Sequence, residues 1–545
     1  MDETKPANKT QVASTADLDA PEAPPRRSKP GERAGLTVTQ FWIVCVGLNA
    51  GMLLTALDFN IVATAVPIIS SEFNNYSNSA WLGTAFLITF ALGQPIAAKL
   101  GDVFGRKNIF LGGTVLFFVG SALCGWAHNM DMLIWSRAVQ GLGAGVIYVL
   151  TNVVIITDLV DLQDVGKFLA ITGIVWALAD VAGPLLGGVF SQYATWRWCF
   201  WINLFICPVS FAIVLFTLHL PVPNMSLKEK LLTFDYVGTI AISGATTALN
   251  MGLSWGGHVF PWTDSRVIGT IVGGAALFVT FIVVEHFVKV PLVFPSMFRS
   301  RALLSIFGAE FFYGIVLLGG MYYLPQYFQL VFGDSATLSG IGLLPMMLGL
   351  LVGNPIAAFV TSKKGVSLIN AIAGAALEVM AMGLMTRWNA STTRAEAVIV
   401  PFILGVGQGA AMSGMLLTAQ VAVVPMQIGV VTGLCLFIQA IGDAFGIALF
   451  SAVYVNELAD GLANLGLTPA EVSGVMADIH TVHTRFSADL IPRIVDIYAH
   501  SLQNGWWLLF GAACACFICC CVGKQHKFMA PEAKPEAEEK APSEV

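Results

Sequence analysis

GQPIAAKLGDVFGRK, residues 93–107, ends one apolar run and opens the next through a tight turn of mixed charge. Gly101 and Gly105 let the backbone bend and approach a neighbour closely, while Asp102 sits among Lys99, Arg106 and Lys107 at what must be a membrane surface. The string has an echo: residues 353–358 read GNPIAA against GQPIAA at residues 93–98, and a turn bearing Lys363, Lys364 and Gly365 follows. Two further pairs hold nearly the same spacing. GLGAG at residues 141–145 matches GVGQG at 405–409, and Ala177, Asp180 and Gly183 match Ala440, Asp443 and Gly446. The chain is therefore two related halves, which in a polytopic membrane protein points to a transporter with its substrate site between them.

Composition agrees. Of 545 residues, 56% are hydrophobic and 11% charged, with a mean hydropathy of +0.74, against roughly 25% charged residues in soluble domains. This excludes a soluble enzyme and a nucleic-acid-binding protein, and the net charge of -6 says little, because charge placement relative to the bilayer matters more than the sum. The ten cysteines fall mostly inside apolar runs, where a thiol acts as a small hydrophobe. Residues 1–40 are polar and rich in Pro and Ala, a disordered cytosolic tail with no cleavable signal.

Crossing the hydrocarbon takes about 20 apolar residues, and fourteen such runs are present. Six (41–66, 80–100, 108–127, 132–157, 166–190 and 198–220) form an N-terminal bundle over residues 41–220. Two more, 234–255 and 266–288, fall in a linker, residues 221–300, and read as an inserted pair. The last six (302–328, 336–360, 366–387, 396–422, 428–455 and 504–523) form a C-terminal bundle over 301–523, followed by a cytosolic tail, 524–545. With both ends in the cytosol, 21 of the 28 Lys and Arg fall on that side, six outside and Arg137 within a span, as the positive-inside rule requires. The longest loop, about 456–503, then faces outward; Thr468 and Glu471 start a capping box there, and short helices packing as a lid are expected. Asn75 and Asn389 head sequons on the same outer side.

Asp58, Arg137, Asp180, Glu310, Glu378 and Asp443 lie inside the spans, each at a cost of about 2.5–3.5 kcal/mol at a helix centre, so they face the protein interior or a wet cavity. Asp58 and Arg137 fall at a similar depth, about 8–12 Å below the outer surface, and are expected to pair, either to couple protonation to conformation or as a permanent structural bridge. Asp180 and Asp443 hold matching places in the two halves and, with Glu378, would bind a proton or a cationic group. Glu310 falls nearer the inner face. Trp176, Phe311, Phe312, Tyr313, Tyr322 and Gln439 join Glu310 and Glu378 as candidates for lining the substrate cavity, although aromatics in spans also serve simple packing. Gly183, Pro184, Gly187 and Gly188 mark a helix built for close, moving contact. No metal cluster, cofactor site or G-x-x-x-x-G-K-[ST] phosphate loop is present.

Taken together these strings resemble the major facilitator superfamily, specifically its fourteen-helix drug:proton antiporter branch and most of all fungal toxin and multidrug efflux pumps. The resemblance covers residues 41–523. Leu100, Asp102, Gly105, Arg106 and Lys107 match the loop 2–3 signature, with Ala98 and Val103 departing from it; residues 57–67 match the helix 1 motif, with Asn60 in place of threonine. Residues 137–143 match the helix 4 motif, whose arginine the family implicates in proton coupling. Residues 179–188 match the helix 5 antiporter motif, with Ala179 for its leading glycine, while Asp443 stands where glycine is usual. The resemblance implies an all-α membrane fold, two six-helix bundles plus two inserted helices. It also implies a non-enzymatic, proton-coupled exporter of an amphipathic metabolite, toxin or drug, acting as a monomer in the plasma membrane or a vacuolar or vesicle membrane. The alternative is a proton symporter importing a siderophore or another nutrient.

Overall fold

The computed structural model describes residues 31–62, 65–73, 75, 81–160, 165–220, 226, 229, 235–256, 260–288, 293, 295–334, 336–424, 427–465, 467, 468 and 490–525. The tail before residue 31, most of the outer loop and the tail after residue 525 lie outside them. Among the described residues fourteen long helices occupy the expected spans: α1 Val38–Ile61, α2 Trp81–Phe104, α3 Arg106–Gly125, α4 Met130–Val154 and α5 Val165–Tyr193. The series continues with α6 Trp198–Thr217, α7 Tyr236–Trp255, α8 Ser265–Phe287, α9 Arg301–Val331 and α10 Leu344–Lys364. It ends with α11 Leu368–Met385, α12 Arg394–Val421, α13 Ile428–Asn464 and α14 Ile491–Val522. Helix starts are written locally: Thr37 with Gln40 and Thr393 with Glu396 form capping boxes at α1 and α12, and Asn129 accepts from the Met132 amide at α4, 2.7 Å.

Among the described residues thirteen of these helices are long and apolar enough to cross a membrane. The fourteenth, α7, has the length, but Thr239, Ser243, Thr246, Thr247 and Asn250 dilute its hydropathy. The described ends of the outer loop continue the spans, α13 with 37 residues and α14 with 32, about 55 and 48 Å of helix against about 30 Å of hydrocarbon; the stretch between them, where short helices are expected, lies outside the described residues. Their extensions pack together, Tyr454 against Tyr498 at 6.4 Å between ring centroids. Thr468 is described; Glu471 of the expected capping box is not.

The repeated strings do the same work in each half. A methyl built on Gly141 or Gly145 of α4 would collide with the Phe86 or Phe90 carbonyl of α2, and one on Gly405 or Gly409 of α12 with the Met346 or Leu350 carbonyl of α10. Likewise Gly183 of α5 lies against α1, where a Cβ would sit 2.9 Å from Asn60 Cβ, and Gly446 of α13 lies against the Ile315 carbonyl of α9. Such backbone contact takes the place of the hydrophobic drive that helices in lipid lack. Gly145→Leu or Gly409→Leu must therefore push two helices apart. We expect about 1–3 kcal/mol of destabilisation from either overpacking, read as a lower unfolding temperature of the purified protein, and equal behaviour of the two variants checks the equivalence of the halves.

The halves touch at the face where α1 begins and α14 ends. Gly433 of α13 abuts α2, with a built methyl 3.1 Å from Ala98 Cβ, and a methyl on Gly173 of α5 would lie 2.6 Å from the Asn354 amide nitrogen of α10. At the same face the end of α2 and the start of α3, joined at Gly105, fold onto their own half. Gly105 takes φ +94°; Arg106 donates to Asp102 at 3.0 Å, to Asp158 at 2.9 Å and to Thr157; Lys107 donates to the Leu215 carbonyl at 2.7 Å. Asp102 then faces the start of α13, 3.8 Å from a methyl on Gly429, where an anion is favoured by the helix dipole.

Candidate functional site

Between the halves lies a cavity, partly open to solvent. Its two walls differ. From the N-terminal half come rings in contact with one another: Trp176 with Tyr148 at 5.0 Å, Trp176 with Phe59 at 6.1 Å and Tyr148 with Phe90 at 5.4 Å between centroids. From the C-terminal half come Met321, Met346, Met347 and Met412 with several leucines, side chains that adapt to irregular apolar shapes. Asp180 of α5 and Asp443 of α13 both line the space, and no Lys, Arg or His is among its described lining residues.

Of the candidates read from sequence, the structure brings Asp180, Asp443, Trp176, Tyr313 and Gln439 to this cavity. Asn60 donates to Asp180 Oδ1 at 2.7 Å, while Asp443 Oδ1 has no hydrogen-bond partner among the described residues. Glu310, Phe311, Phe312, Tyr322 and Glu378 are not among the lining residues. Phe311 packs on Phe445 and Phe312, each at 5.4 Å, and Tyr322 points outward with half its surface exposed. Glu310 and Glu378 are buried inside the C-terminal half.

Asp58 and Arg137 do pair, but away from the cavity. The ion pair is sealed, with each side chain at most 1% exposed. Asp58 Oδ1 also accepts from Gln140 at 2.8 Å and Asn203 at 3.1 Å, and Arg137 donates to Gln140 at 2.7 Å and to the Leu82 carbonyl at 3.0 Å. Phe86 covers the guanidinium at 4.1 Å. Five helices, α1, α2, α4, α6 and, through Ser121, α3, thus meet on one charge pair. Asn60 sits two residues from Asp58 on α1, so a short path leads from the sealed pair to the cavity carboxylate Asp180.

Asn203, Ser121 and Tyr148 are missing from the sequence candidates. Asn203 was signalled by its polar side chain at the start of an apolar run; Tyr148 lies three residues beyond the Gly145 contact, on a face that only packing reveals. In the antiporter motif Gly183 packs against α1, Gly187 is buried, Gly188 has open space beside it, and the side chain of Pro184 lies outside the described residues. Asn389 is exposed, its Oδ1 accepting from the Ser391 hydroxyl at 2.6 Å; Asn75 is half-buried and Ser77 of its sequon is not described.

Comparison with known proteins adds relatives. Residues 48–447 match the family described as Major Facilitator Superfamily. The efflux pump dotC of Dothistroma septosporum is 34% identical over 417 residues, covering 76% of this chain and 72% of that protein. The efflux pump FUS6 of Gibberella fujikuroi is 30% identical over 506 residues, covering 91% and 90%. Among solved structures, the human organic anion transporter MFSD10 superposes with a TM-score of 0.55 at 15% identity, covering 89% of this chain and all of that one, a likeness of fold alone.

Proposed function

Since the chain belongs to the Major Facilitator Superfamily, a family of transporters and not of enzymes, we propose that it exports an amphipathic small molecule in exchange for protons. Its relatives named efflux pumps support outward movement. The observation that carries the proton is the pair Asp180 and Asp443, one from each half, in a cavity whose described lining holds no cation. Each carboxylate there needs a proton or a cationic partner to offset the cost of charge away from water. Proton entry from outside and substrate release to the outside then use one cavity in turn, as the halves rock about α5 and α13. The Asp58–Arg137 pair, reached through Asn60, reports the protonation of Asp180 to α4. The protein acts as a monomer in the plasma membrane with both ends in the cytosol.

The test is purified protein in liposomes, with a panel of planar fluorescent dyes and an imposed pH gradient. Accumulation should follow the gradient and collapse with a protonophore; dye movement indifferent to both would refute proton exchange. The lining sets a second expectation. Without a cation to receive it, a carboxylate-bearing dye should be carried at least about tenfold more slowly than its uncharged ester, about 1.4 kcal/mol in the barrier. Competition between the two in the same vesicles measures that ratio.

A further inference from the structure

The repeated strings GQPIAA and GNPIAA differ at one residue, and both versions of it are carboxamides: Gln94 of α2 and Asn354 of α10. Both line the cavity, one from each half, and both are nearly out of water, 1% and 3% exposed. Each also stands where its half meets the other. A methyl on Gly433 of α13 would lie 3.7 Å from the Gln94 backbone carbonyl, and one on Gly173 of α5 would lie 2.6 Å from Asn354 Nδ2 but 4.0 Å from Oδ1. Other polar side chains of the lining spend their donors on their own helices: Asn152 on the Tyr148 carbonyl at 2.9 Å, Thr172 on that of Phe168 at 3.2 Å and Ser413 on that of Gly409 at 2.9 Å. Among the described lining residues three buried polar atoms have no hydrogen-bond partner: Gln94 Oε1, Asn354 Oδ1 and Asp443 Oδ1. All three are acceptors. A cavity whose buried oxygens lack donors favours a ligand that brings them.

We propose that Gln94 and Asn354 bind the transported molecule through hydrogen bonds, one in each half, and that this molecule is a planar apolar scaffold with O–H or N–H donors on opposite edges. The rings of one wall and the methionines of the other hold the scaffold without reading its polarity. The carboxamides then set which molecules are retained, because losing a donor leaves a buried oxygen unpaired, a larger penalty than changing one methylene of an apolar contact. With a partner in each half, the ligand ties the halves together across the cavity. The proposal rests on the reading of this cavity as the site of the transported molecule, but on neither proton coupling nor the direction of transport.

Equilibrium binding to the purified full-length protein at fixed pH, read by fluorescence polarisation, tests it with a matched pair of dyes. Rhodamine 6G carries an N–H at each end of its xanthene, whereas the ethyl ester of rhodamine B has the same core and ester with every amine nitrogen fully alkylated. Both are cations, so attraction to Asp180 and Asp443 is common to them. The parent should bind rhodamine 6G at least about tenfold more tightly, and equal affinities overturn the proposal. Gln94→Leu and Asn354→Leu should each reduce that ratio to about threefold, and Q94L/N354L should bring it close to unity. A loss of packing alone would weaken both dyes together, so a ratio unchanged in the double variant also overturns the proposal. Where leucine prevents folding, alanine at the same position gives the same reading without crowding a neighbour. Trp176→Ala, which removes a ring of the wall, should weaken both dyes. If it weakens neither, the dyes bind elsewhere, and the reading of the cavity falls together with the proposal.

Discussion

Replacing Arg137 with alanine is expected to cost about 3–5 kcal/mol of stability, because it strands Asp58 as an uncompensated buried charge. The side chain is the hub of the N-terminal half: it pairs with Asp58, donates to Gln140 and to the Leu82 carbonyl, and lies under Phe86. None of these partners reaches bulk water to compensate, since Asp58 is fully buried and Gln140 is too. Thermal unfolding of the detergent-solubilised protein should show the loss as a large drop in midpoint or as aggregation. The pair of variants Asp58→Asn and D58N/R137Q separates structure from coupling. Neutralising both members removes the stranded charge and should recover most of the stability, leaving a protein that folds. If the pair is only a bridge, D58N/R137Q will move dye along a pH gradient as the parent does. If it relays protonation from Asp180 through Asn60, the double variant will fold, exchange dye downhill and fail to accumulate it.

How much of this was legible beforehand follows from what lipid does to a helix. Spans and halves are written in long apolar runs and in glycine strings, since close helix contact leaves Gly141, Gly145, Gly405 and Gly409 no room for a side chain. Facing is written far less clearly. A helix in lipid has no polar outer side to contrast with its inner one, so α9 offered Glu310, Phe311, Phe312, Tyr313 and Tyr322 as equal candidates, and only Tyr313 lines the cavity. Asp180 and Asp443 were found because the repeat gave each a symmetric mate, whereas Glu378 had none and turned out to be enclosed within its half. The methionine wall carried no signal at all, because methionine in an apolar run looks like any other core residue until the opposite wall is known.

The sharpest separation of proton from substrate is expected at Asp443. Its Oδ1 has no hydrogen-bond partner among the described residues, so Asp443→Asn removes a titratable oxygen without breaking a bond that the described structure shows. At Asp180 the amide of Asn60 already donates to Oδ1 at 2.7 Å, and Asp180→Asn can keep that bond through its own carbonyl oxygen. Both variants preserve size and polarity and both lose the site at which a proton could ride. Dye accumulation driven by a pH gradient should therefore fall at least about tenfold in each, the equivalent of about 1.4 kcal/mol, while downhill exchange in the absence of a gradient stays within about threefold of the parent. The double variant should accumulate nothing and still exchange, because a cavity that no longer changes charge can reorient loaded from either side. Loss of exchange together with accumulation would make these carboxylates part of substrate binding alone. Full accumulation in the double variant would place the proton elsewhere, and the enclosed Glu310 and Glu378 would then be the next carboxylates to replace.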